Sequence, residues 1–193
     1  MVNQTEVMAD SMDSYEIKIR GEGKTVEIDE THWTSAKYGR GRDVTKEHTW
    51  IFGGRERGSE ERFCVSIGPG GRRNRATLEP LIVKHVRKGT IIISDCWGAY
   101  NHIETLCDGD GQPMNYTHHT VNHREGFLNR TNRTIHTQAV ERFWGDLKDK
   151  IKGRGHGKTI EQNIFKYLFL KKHGDNAFHK LLVECGKSFP YET

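Results

Sequence analysis

The sequence predicts an α/β fold with helices on both faces of its sheet, and two observations carry the prediction. The β-branched run Thr90-Ile91-Ile92-Ile93-Ser94-Asp95, uninterrupted and bounded by Gly89, reads as a strand buried on both sides, and such a strand needs helices above and below it. Val140, Phe143, Trp144, Leu147 and Ile151 recur at spacings of three and four, which gives a helix one apolar stripe to supply that cover. At 193 residues, 34% hydrophobic and 29% charged, the chain is long enough for one domain with a real core.

The other elements follow in chain order. Residues 1–22 lack sustained periodicity and read as a disordered tail or the remnant of an upstream region. Thr25-Val26-Glu27-Ile28 reads as a short strand ending at Asp29. After the polar turn from Gly39 to Thr45, Thr49 to Gly53 and Arg62 to Ile67 form a hairpin around Gly58-Ser59. Gly68-Pro69-Gly70-Gly71 breaks the chain, and Asn74 caps a helix whose apolar face is Leu78, Leu81, Ile82 and His85. Beyond the β-branched strand, a Gly- and Asp-rich loop (Asp108 to Gln112) leads to a strand at Tyr116 to Val121. Thr137 caps the striped helix, and Thr159 with Gln162 has the capping-box spacing ahead of Ile164, Phe165 and Leu168. Gly174 ends that helix, and Asp175 opens a last one through Phe178, Leu181 and Leu182.

No apolar run approaches the roughly 20 residues of a membrane span, and Met1 to Asp13 lacks the basic start and apolar stretch of an export signal. The expected location is the nucleus of a eukaryote or the nucleoid-containing cytoplasm of a bacterium, without secretion. Cys64, Cys96, Cys107 and Cys185 form no C-x-x-C pair and read as reduced, mostly buried thiols. Trp33, Trp50, Trp97 and Trp144 are expected in the core. The net charge of +4 is mild, but residues 1–30, 31–88, 89–123 and 124–193 carry −5, +7, −4 and +6 in turn. Such alternation suits carboxylates that hold metal beside a basic surface that holds phosphate, but charge layout alone favours an ordinary solvated surface.

Three carboxylates stand out by position: Asp29 at the end of the first strand, Asp95 at the end of the buried strand, and Glu141 on the striped helix. If the two strands are neighbours, their ends bring Asp29 and Asp95 together, and a helix packed through Val140 and Trp144 presents Glu141 to the same place. Hard ions such as Mg²⁺ or Mn²⁺ take oxygen ligands, and a pair of them stabilises both the attacking and the leaving oxygen of a phosphoryl displacement. Taken singly, an Asp closing a strand is usually a turn residue, and a Glu near a helix start usually complements the dipole. Gly157-Lys158-Thr159 fails as a phosphate-binding loop, because the earlier glycine would fall at Lys152 and a helix precedes it. Lys152 to Lys158 reads instead as a flexible basic connection. His118 and His119 lack metal-ligand spacing, while His123 is an auxiliary acid-base or phosphate-contact candidate. Trp97, two residues from Asp95, is a candidate to line the site or stack on an unpaired base.

The blocks Val26-Glu27-Ile28-Asp29-Glu30-Thr31, Trp50-Ile51-Phe52-Gly53-Gly54, Glu56-Arg57-Gly58, Ile93-Ser94-Asp95-Cys96-Trp97-Gly98-Ala99-Tyr100, Val121-Asn122-His123 and Ala139-Val140-Glu141-Arg142-Phe143-Trp144 follow one another in a specific order. In that order the chain resembles Merlin-type transposases and their bacterial insertion-sequence relatives, from about Gly23 to Leu182. The resemblance implies a DDE-class catalytic domain over 23–185, with a C-terminal tail over 186–193. Its fold would be a ribonuclease H-like mixed β-sheet with helices on both faces. It further implies that Asp29, Asp95 and Glu141 are the catalytic triad and hold two Mg²⁺ or Mn²⁺ ions. DNA at transposon ends would be nicked, and the freed 3′-hydroxyl would then attack target DNA in line. DNA is the implied partner, bound by a homodimer or larger assembly, with Arg40, Arg42, Arg72, Arg73, Arg75, Lys148, Lys152, Arg154 and Lys158 as candidate contacts. A non-catalytic DNA-binding or interaction protein derived from a transposase is the alternative, motivated by the basic flanks and the short unpatterned segment ahead of the first strand.

Overall fold

Strand β1 (Thr25–Trp33) runs straight through Asp29 instead of stopping there. The cause lies in its partner, which no local pattern announces. In the computed structural model, which describes residues 18, 19, 21–33, 49–122, 134–151 and 158–188, β2 (Thr49–Glu56) pairs antiparallel with β1 from Val26 opposite Glu56 to Trp33 opposite Thr49. Ladder hydrogen bonds along that length keep the second half of β1 extended. A tight turn with Gly58 at φ 72°, a conformation that favours glycine, returns the chain as β3 (Arg62–Pro69).

Asn74 accepts from the Thr77 amide at 3.1 Å and starts α1 (Arg75–His85), as its position before the apolar face predicts. The helix carries the chain across the sheet to β4 (Ile91–Asp95), which pairs parallel with β1, and β5 (Thr117–Val121) then pairs parallel with β4. The result is a five-stranded mixed sheet in the order β3-β2-β1-β4-β5. With α1 on one face and α2 (Gln138–Ile151), α3 (Lys158–His173) and α4 (Ala177–Ser188) on the other, this is the ribonuclease H-like architecture.

Period-two alternation sorts the strand side chains into two cores. Val26, Ile28, Phe52 and Phe63 pack on Leu78 and Ile82 of α1, while Ile51 and Cys64 pack on Phe143, Leu147, Ile164 and Phe169 of the helical layer. Ile92 and Ile93 are 0% and 2% exposed, so β4 is covered on both faces as its composition requires. Each such side chain contributes about 1.5–3 kcal/mol through burial.

Several expectations need correction. Of the four tryptophans only Trp144 is buried: Trp33 and Trp50 are half-buried, and Trp97 is 43% exposed, because three of them sit at the strand ends where the helices stop covering the sheet. Cys96 and Cys107 are exposed, since both lie in loops after β4, and only Cys64 is fully buried. Ile19, in the stretch that lacks periodicity, is fully buried and bridges to Val86. On α4, Leu181 faces the core but Phe178 and Leu182 do not. Arg40, Arg42, His123, Lys152 and Arg154 lie outside the described residues, and Lys158 opens α3 with its side chain outside them. Among the described residues no helix is long and apolar enough to cross a membrane.

A buried polar network ties α2 and α3 to β3. The Tyr167 hydroxyl donates to Asp146 at 2.6 Å and accepts from the buried Arg62 guanidinium at 3.1 Å, while Lys171 reaches the same Asp146 carboxylate at 2.7 Å. Burial, then the bond to Asp146, pushes the Tyr167 hydroxyl well above its ordinary range, so it remains the donor. Replacing Tyr167 with Phe takes the hydrogen-bond acceptor from Arg62 Nη1 and a donor from Asp146, and is expected to cost about 1–3 kcal/mol. Urea unfolding checks this, and an unchanged midpoint would contradict the network's role.

Candidate active site

Parallel pairing of β1 with β4 sets Glu27 opposite Ile93, so Asp29 and Asp95, each two residues further on, are level on adjacent strands. Asp95 is the last residue of β4, and its Oδ1 accepts from the Trp97 amide at 2.9 Å, which fixes its rotamer. Asp29 lies mid-strand opposite Gly53 of β2, and its Oδ2 accepts from the Trp144 indole at 2.9 Å. Gly53 makes that bond possible: a Cβ there would lie 2.6 Å from both the Trp144 ring and the Phe63 carbonyl oxygen. Trp144 stands three residues after Glu141 on α2, so the two share a helix side and Trp144 docks the helix that carries Glu141.

The start of α2 is held to β1 as well. Glu27, 0% exposed and on the same strand face as Asp29, accepts from the Ala139 and Val140 amides at 2.6 and 3.0 Å and from Arg57 Nε at 2.5 Å. Arg57 also donates to the carbonyls of Thr134 and His136, which lead into the helix. His136 Nδ1 lies 3.2 Å from the same carboxylate, and burial, then the Arg57 charge, lowers its proton affinity.

Electrostatically, negative charge is crowded between the middle of β1 and the end of β4. Burial, then Glu30, then Glu141 push the Asp29 carboxyl up to about 7, against the opposing Trp144 hydrogen bond. Glu30 is also pushed up to about 7, first by burial and then by Asp95, with Arg73 pulling the other way. The buried Tyr100 hydroxyl lies against Glu30 and feels Asp29 and Asp95, yet neither it nor Glu30 Oε1 completes a hydrogen bond of good geometry. Glu141 is exposed in the first turn of α2. Among the described residues no three His, Cys, Asp or Glu side chains stand close enough together to hold a metal by themselves.

Beside these carboxylates lies an aromatic and cationic ledge. The Arg73 guanidinium stacks 3.9 Å from the centre of the Trp50 ring and 5.2 Å from that of Trp97, and the Trp97 indole donates to the Arg73 carbonyl at 2.9 Å. Arg72 and Arg75 are exposed next to it, with Arg75 paired to Glu79 at 2.6 Å, and Lys148 is exposed on α2. His118 is half-buried and shares a 2.8 Å hydrogen bond with Ser94, so it is spent inside the sheet. Glu27, Arg57, Glu30 and Tyr100 escape a reading by spacing. The one signal for Glu27 is its position two residues before Asp29, on the same side of a strand.

The sequence model of the ISXO2-like transposase domain matches residues 19–168. The chain belongs to this transposase family. The match agrees with the motif resemblance to insertion-sequence transposases. No curated protein matches the chain. Among solved structures it is similar to a chain of the simian T-cell lymphotropic virus intasome, solved by cryo-electron microscopy in complex with PP2A regulatory subunit B56 gamma. That similarity has 14% identity and a TM-score of 0.41, and covers 91% of this chain and 51% of that one, so the chain spans about half the viral chain's length.

In this ISXO2-like domain, a methyl group at Gly53 would evict the Trp144 indole from its seat over Asp29. Gly53→Ala is therefore expected to cost about 1–3 kcal/mol and to red-shift tryptophan fluorescence. An unchanged spectrum would show that the sheet accommodates the methyl without moving the helix.

Proposed function

We propose that this chain is the catalytic domain of a DNA transposase, which cuts phosphodiester bonds at transposon ends and joins the freed ends to target DNA. Asp29, Asp95 and Glu141 are its acidic triad, and two Mg²⁺ or Mn²⁺ ions are its cofactors. The observation that carries this reading is the placement of Asp29 and Asp95 level on adjacent strands, with burial first, then Glu30 and Glu141, pushing the Asp29 carboxyl up to about 7 and a neutral indole as its side-chain hydrogen-bond partner.

Such a cluster fits divalent cations. The donors are all carboxylate oxygens, and Mg²⁺ is usually held by one or two carboxylates plus water and substrate phosphate, not by a closed protein cage. Asp29 and Asp95, level on adjacent strands, would hold the ions together with water and substrate phosphate, and Glu141 would complete the coordination. When bound, the ions supply charge that stabilises both the attacking and the leaving oxygen of the displacement. The chain's own residues prepare that chemistry. Trp144 fixes the Asp29 carboxylate and the Trp97 amide fixes Asp95, so neither ligand needs to reorganise. Arg72 and the ledge of Arg73 and Trp97 give DNA a cation for its backbone and an exposed ring for an unpaired base. Assembly as a homodimer or larger complex on paired DNA ends belongs to the same reading.

Purified protein is expected to nick and join DNA carrying the element's ends only with Mg²⁺ or Mn²⁺, and Asp95→Asn or Glu141→Gln should lower the rate by about two orders of magnitude or more. Equal rates for wild type and Asp95→Asn would refute the assignment. The exposure of Glu141 favours one second reading, a non-catalytic DNA-binding protein derived from a transposase. Salt-sensitive DNA binding without metal-dependent cleavage would decide for it.

Trp97→Ala is expected to weaken binding of DNA with an unpaired end about tenfold, in line with about 1–3 kcal/mol per stacked base, while Trp97→Phe retains most of it. Equal loss on fully paired DNA would assign Trp97 to general packing instead.

A further inference from the structure

We infer that Glu27 is a positioning residue for the metal site, holding the helix that carries Glu141 in register with the strand that carries Asp29. The inference rests on the triad reading above, but its geometry is independent of it. A fully buried carboxylate is costly unless its oxygens are satisfied. Here Oε1 takes Arg57 Nε at 2.5 Å and Oε2 takes the amides of Ala139 and Val140 at 2.6 and 3.0 Å. Those amides belong to the first turn of α2, which has no carbonyl of its own to offer them. Glu27 is thus a helix cap supplied from a strand more than a hundred residues away, and its charge also suits the positive end of the helix.

The cap fixes translation as well as stability. Arg57 binds the same carboxylate and the carbonyls of Thr134 and His136, so the chain enters α2 at one height above β1. Glu141 is the residue immediately after the capped Val140, and Trp144 reaches Asp29 one turn later. A slip of α2 by one residue would shift Glu141 by about 1.5 Å. Metal-ligand distances tolerate about 0.2 Å, so such a slip removes Glu141 from any ion held by Asp29. A polar group on the loop before α2 would satisfy the same amides, but it would not tie the helix to the strand bearing Asp29.

The test uses the full chain and Mn²⁺ alone, with uptake followed by electron paramagnetic resonance and the Ala139 and Val140 amides followed by hydrogen exchange. Glu27→Gln is expected to weaken Mn²⁺ uptake about tenfold, the scale of other residues that orient metal ligands, and to speed exchange at both amides. Asp146→Asn, which loosens the same helix through Tyr167 and Lys171, controls for stability and should bind Mn²⁺ as the wild type does. Wild-type uptake by Glu27→Gln, or unchanged exchange, overturns the inference. If Glu27→Gln does not fold, Arg57→Lys keeps the charge but not the fork of hydrogen bonds, and the same two outcomes apply. A wild-type chain that takes up no Mn²⁺ overturns the triad reading and this inference together.

Discussion

One buried negative charge governs where the candidate site sits. Glu27 lies where water does not reach, and its carboxylate is tolerable only because a guanidinium and two helix amides surround it. None of these partners is available locally. They arrive from the β2–β3 hairpin and from a helix on the far side of the sequence, so satisfying Glu27 requires the tertiary fold to close. Breaking such a contact from one side leaves an unpaired charge or unpaired amides, and that asymmetry makes the contact selective as well as stabilising. The helix therefore docks in one register, and everything it carries inherits that register.

Two residues along the same strand from this satisfied charge begins a less completely paired group of carboxylates, in which Glu30 Oε1 has no hydrogen-bond partner. Asp29 and Glu30, midway along β1, approach Asp95 at the end of β4, and burial makes the repulsion of Glu30 by Asp95 and of Asp29 by Glu30 harder to screen. A protein selected for stability alone would replace some of them. Arg73 offsets part of the repulsion at Glu30, and under the proposed function cations and a phosphate would complete the balance. The two polar arrangements thus have opposite characters, a closed one around Glu27 that fixes geometry and a more repulsive one between β1 and β4.

Small residues and aromatic faces set the remaining dimensions. Gly53 is needed because the Trp144 ring lies directly on the sheet, and no side chain fits between them. The indole in turn spans the gap to Asp29. On the outer side, Trp97 and Arg73 stack where the helical layer no longer covers the strands, which leaves a large apolar ring in contact with solvent beside the carboxylates.

Local pattern by itself determined the α/β class, the doubly covered strand at Ile91–Asp95, the Asn74 cap, the striped helix with its buried Val140, Phe143, Trp144, Leu147 and Ile151, and the three carboxylates worth watching. These are properties of periodicity, capping and composition, which act over a few residues. Only the tertiary structure decided that β1 continues through Asp29, that Asp29 and Asp95 are level, that Trp97 faces solvent, and that Glu27 and Arg57 hold the start of α2. Each of those facts depends on which distant segment lies alongside, and pairing across a sheet or between a strand and a helix leaves no mark in the spacing of either partner.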